Sequence, residues 1–65
     1  MLKPGDIVNI SKDAVYWNGT SIPDYIIQIS WKIASISNDR VILGESANGL
    51  KKLNKPIHQK FLNLI

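Results

Sequence analysis

The sequence predicts a small all-β domain of about five strands, and three observations carry that prediction. The apolar residues are mostly Ile, Leu and Val, which suit the pleated, half-buried surface of a strand. They come in short runs bounded by Gly, Asn, Asp or Pro, none long enough to stand as a helix. The chain has 65 residues. A chain of that size removes only about 60% of its unfolded surface from water, enough for one modest core and one domain.

The elements follow in order. Gly5-Asp6 opens the first strand: the glycine permits a sharp turn, and the carboxylate can accept backbone N–H groups within it. Ile7-Val8-Asn9-Ile10 is that strand. Residues 11–30 are interrupted by Asn18-Gly19 and Pro23 before a strand could run its length, which predicts one long, partly ordered loop. Trp31 to Ile36 and Arg40 to Leu43 pair across Ser37-Asn38-Asp39, and Asn48-Gly49 makes a second tight turn by its tolerance of positive φ. A fourth strand is expected at Leu50 to Leu53. The segment Lys55 to Leu62, opened by Pro56, is expected as a closing strand that returns to the first and seals a barrel. Alternation then places Val8, Ile10, Ile33, Val41 and Leu43 in the core.

Composition excludes several chemistries. Without Cys there is no disulfide framework and no thiolate metal site. The opening lacks the apolar run of a secretory signal, and no stretch approaches the roughly 20 apolar residues of a membrane span. The expectation is a soluble chain with no signal peptide and no membrane partner. His58 is the lone histidine, with no companion at metal-ligand spacing and no nucleophile–base–orienter set around it. Asp24, Asp39 and Glu45 would need a cleft to act as paired carboxylates, which a filled barrel does not offer. No metal, no cofactor and no catalysis are therefore expected.

Net charge is +3 and unevenly placed. Residues 1–50 hold four bases and five acids, whereas 51–65 hold Lys51, Lys52, Lys55 and Lys60 and no acid. Adjacent residues of a strand point to opposite faces, so only one of Lys51 and Lys52 is expected to join Lys55 and Lys60. Lys55 and Lys60 are the candidate contacts to an anionic polymer. The aromatics are the other candidates. Tyr16 and Trp17, beside Asn18, sit in the long loop, where one of the two is expected to face outward; Asp24, Tyr25 and Trp31 complete the candidate ligand site. Trp31 shares a strand face with Ile33 and so also reads as core.

The motif Gly5-Asp6-x-Val8-x-Ile10, then Ala14-x-Tyr16, then Gly19-x-x-Ile22-Pro23 with Tyr25, is similar to the bacterial SH3-like cell-wall-binding modules of phage endolysins and autolysins. The similarity continues through Trp31-x-Ile33, Asp39-Arg40-Val41-x-Leu43 and the closing Leu53 to Leu62, and so covers essentially the whole chain. Two positions depart from the pattern: Tyr25 and Pro56 each stand where the family has Trp. The resemblance implies an SH3-like barrel acting as a non-catalytic module that binds peptidoglycan or another wall polymer and tethers a lytic enzyme. Its implied partners are the wall glycan or stem peptide and a lysin catalytic domain in cis or in trans, at the cell wall after release. The alternative is a small nucleic-acid-binding or peptide-binding barrel of KOW-like type, which the basic C-terminal segment and Gly5-Asp6 would suit.

Overall fold

A computed structural model describes residues 2–65. The chain forms five antiparallel strands in one sheet: β1 (Ile7–Ile10), β2 (Trp31–Ser37), β3 (Arg40–Ser46), β4 (Lys52–His58) and β5 (Leu62–Leu64). Their spatial order is β4-β3-β2-β1-β5. A single α-helical turn, α1 (Asp24–Ile27), lies in the long loop after β1, and a 3-10 turn (Gln59–Phe61) joins β4 to β5. The all-β prediction, with about five strands and a long loop after the first, holds.

Gly5-Asp6 acts as its chemistry dictates. Gly5 takes φ +92°, and the Asp6 carboxylate accepts the Lys3 N–H at 3.0 Å. Within β1, Val8 and Ile10 face inward and Asn9 outward. The β2–β3 hairpin turns on Asn38, at φ +55°, one of the residue types that tolerates this region. An irregularity between Ile33 and Ser35 shifts the register. There Gly44 is needed for close approach, since a Cβ on it would stand 3.0 Å from the Ala34 Cβ.

Two boundaries differ from the sequence expectation. The fourth strand is Lys52–His58 rather than Leu50 to Leu53, and it pairs with β3 from Arg40↔His58 to Glu45↔Lys52. Asn54 lies inside it, and so does Pro56, expected to open the closing strand. Asn54 sits at φ +53° where the register shifts, and Pro56 is tolerated because β4 is an edge strand. The segment that returns to β1 is β5, from Val8↔Leu64 to Ile10↔Leu62, not Lys55 to Leu62. It does not seal a barrel: β4 and β5 are the two edges of a curled sheet.

Trp31, Ile33, Leu43, Ile57, Val8 and Val41 are the fully buried centre. Each such side chain is worth about 1.5–3 kcal/mol in burial. The long loop covers this centre with Ala14, Tyr16, Ile22 and Ile26, all buried, and is more ordered than expected. Val15 bridges Ser21, and the Tyr16 N–H donates to the Thr20 carbonyl at 2.8 Å, so residues 15–21 make a small hairpin.

Candidate ligand cleft between the long loop and β4

The small hairpin is docked on β4. Tyr16 bridges Ile57, and the Trp17 N–H donates to the Pro56 carbonyl at 2.9 Å. Tyr16 ends the paired part of the hairpin and Trp17 begins its turn. Tyr16 is buried under the loop, whereas Trp17 is 46% exposed at the hairpin tip. Its indole stacks on the His58 imidazole, with ring centroids 5.7 Å apart and planes 16° from parallel. His58 is fixed in turn: its Nδ1 accepts the Lys60 N–H at 3.0 Å, and its Nε2 lies 3.7 Å from an Asp39 carboxylate oxygen.

Two shallow clefts meet at Tyr16 and Lys55. The smaller, of ≈ 180 Å³, is bounded by Tyr16, Trp17, Asn18, Thr20, Lys55 and Pro56. The larger, of ≈ 440 Å³, runs past Tyr16 and Tyr25 to Lys51 and Lys52, with Trp31 at its floor. That volume lies within the range of small-molecule sites, about 300–1,000 Å³. The Lys55 ammonium stands 5.5 Å from the centre of the Tyr16 ring and that of Lys51 5.6 Å from Tyr25, both within cation–π range. The lysine–carboxylate pair among the described residues is Lys32–Glu45, so Lys51, Lys52 and Lys55 carry uncompensated charge. No acidic residue borders either cleft. Burial, and then the neighbouring Tyr25 phenol, raise the Tyr16 hydroxyl above its ordinary pKa of 10.0.

Of the residues singled out from sequence, Tyr16, Trp17, Asn18, Tyr25 and Lys55 come together here. Trp31 belongs to the core: it is 1% exposed, and its indole N–H donates to the Ile26 carbonyl at 2.8 Å, so it supports the cleft from below. Asp24 is exposed in α1 and borders a different cleft with Asn9, Lys12 and Gln28. Lys60 lies in the 3-10 turn, 5.1 Å from the ring of its neighbour Phe61, and borders neither cleft.

Lys51 and Lys52 correct the strand-alternation argument. Lys51 precedes β4, in the turn closed by its N–H to the Ser46 hydroxyl, so the alternation rule does not bind the pair. The extra residue of β4 between its Leu43↔Lys55 and Glu45↔Lys52 pairings then brings Lys52 and Lys55 to the same cleft. His58 is the residue the sequence concealed. Its contact with Trp17 spans 41 positions, and nothing local signals it.

No family model, curated protein or solved structure matches the chain. Among the described residues no group of three or more His, Asp or Glu is placed to hold a metal ion, and no helix is long and apolar enough to cross a membrane.

Proposed function

We propose that this domain is a non-catalytic binding module whose ligand is a polymer of the bacterial cell wall, held in the cleft between the long loop and β4. The observation that carries the reading is the composition of that cleft. Tyr16, Trp17 and Tyr25 supply aromatic surface, and Lys51, Lys52 and Lys55 supply positive charge with no acid beside them. Such a surface is built to recognise. The lone histidine, His58, is stacked on Trp17 and its Nδ1 accepts the Lys60 N–H. The whole-chain resemblance to endolysin and autolysin modules supplies the choice of a wall polymer. Tethering a lytic domain, in cis or in trans, raises its effective concentration at its substrate. Co-sedimentation of the purified domain with Gram-positive cell walls tests the reading.

A second reading is favoured by the same lysine–aromatic alternation, which is how single-stranded nucleic acids are held. Phosphate-driven binding weakens steeply as salt rises. Binding to short DNA or RNA with that salt dependence, and none to walls, selects this alternative.

A further inference from the structure

We propose that the cleft between Trp17 and Lys55 is a subsite for a single pyranose carrying an acidic substituent. This rests on the binding-module reading and names the chemistry of its ligand. Trp17 is a pre-oriented platform. One side of its indole is covered by His58, its backbone is tied to Pro56, and the hairpin tip behind it turns on Gly19 at φ +90°. Trp17 borders the cleft and His58 does not. A flat π face is negative, and the axial C–H groups of a pyranose carry slight positive charge, so the two pack face to face. Little freedom is lost when the ring is already held.

The rim of the cleft is polar in the manner a sugar edge requires. Asn18 Oδ1 accepts the Thr20 N–H at 3.0 Å. This leaves the Asn18 amide N–H groups and the Thr20 hydroxyl to meet ring hydroxyl or acetamido groups. The Lys55 ammonium, without an ion-pair partner, adds a demand for negative charge on the same small cleft. Indole and ammonium together bound a space of only ≈ 180 Å³, so the stacked ring and the acid belong to one residue of the ligand. In a nucleic acid strand the phosphate is set apart from the stacked base by the ribose, which fits this compact arrangement less well.

The two tryptophans make the test clean, because Trp31 is buried and its indole N–H is already bonded. Heteronuclear NMR titration uses N-acetylmuramic acid, its neutral counterpart N-acetylglucosamine, and oligothymidylate. The acidic sugar is expected to shift the Trp17 indole N–H and not that of Trp31, and to bind about five- to tenfold more tightly than the neutral one. Lys55→Met, which keeps the alkyl stem over Tyr16, is expected to erase that preference and leave the neutral sugar unchanged. Equal affinity for the two sugars, a preference that survives Lys55→Met, or a response to oligothymidylate alone overturns the proposal. Failure of the two readings is separable. Wild-type sedimentation with walls that Trp17→Ala leaves undiminished defeats the subsite alone, whereas acidic-sugar binding without wall sedimentation defeats the wall assignment alone.

Discussion

The indole of Trp17 rests on the imidazole of His58, 5.7 Å between ring centroids and 16° from parallel, joining the tip of the long loop to the end of β4. Both rings are partly exposed, so the contact is a surface brace rather than a core contact. Aromatic pairs of this kind are worth about 0.5–1.5 kcal/mol beyond burial. His58→Ala is expected to free the indole, lowering its fluorescence anisotropy and weakening wall binding while the Trp31 indole resonance stays in place. His58→Phe keeps the stack and restores binding. Equal binding by both variants and the wild type would show that His58 does not position Trp17.

Trp31 carries stability where Trp17 carries recognition. Trp31→Ala is expected to cost about 3–5 kcal/mol, the range for truncating a buried aromatic, which a domain of this size barely survives. Trp31→Phe refills most of the space but leaves the Ile26 carbonyl without its donor, a loss of about 1–3 kcal/mol readable by urea unfolding. Trp17→Ala removes the stack on His58 and is expected to cost about 0.5–1.5 kcal/mol, well below the cost at Trp31. An inverted ranking would reverse the assignment of floor and rim.

Much of this division was legible in the sequence, for reasons that mark where legibility stops. Val8, Ile10, Ile33, Val41 and Leu43 were readable as core because alternation and two tight turns fix which way each points. Asp6 was readable as a turn cap because its partner is three residues away. The small hairpin at residues 15–21, the stack of Trp17 on His58 and the bulge that moves Lys52 beside Lys55 depend on contacts between distant segments. The bounds of β4 were hidden for a related reason, since it contains Asn54 and Pro56. Their local preferences argue against a strand, and β4 accommodates both, one at a register shift and one on a sheet edge.

The lysines separate by position rather than by number. Lys51→Glu is expected to weaken binding to walls that carry anionic polymer by roughly 1 kcal/mol or less at physiological salt, and Lys55→Glu by about tenfold, both by more at low salt. Lys60→Glu, outside both clefts, is expected to leave binding within error. Sedimentation isotherms at two salt concentrations decide this. A loss at Lys60 equal to that at Lys55 would place the anionic contact on the 3-10 turn.

The Tyr16 hydroxyl gives the fold an alkaline signature. Burial, followed by the Tyr25 phenol, raises its pKa in the folded state above the ordinary 10.0. The folded protein therefore holds this proton more tightly than the unfolded chain. Its contribution to stability is complete below the unfolded pKa and is lost as pH rises through the folded one. Urea unfolding is expected to show stability declining above about pH 10, with Tyr16→Phe removing part of the decline. A Tyr16→Phe variant with the wild-type alkaline slope would assign the effect to other groups.

The most direct test of a wall-binding cleft is sedimentation of the wild type and Trp17→Ala with purified Gram-positive walls, each checked for a cooperative thermal transition. The wild type is expected to pellet with the walls. Trp17→Ala, still folded, is expected to lose about 1–3 kcal/mol of binding, as when a well-placed aromatic anchor is removed. A folded wild-type domain that stays in the supernatant across walls of differing composition would contradict it.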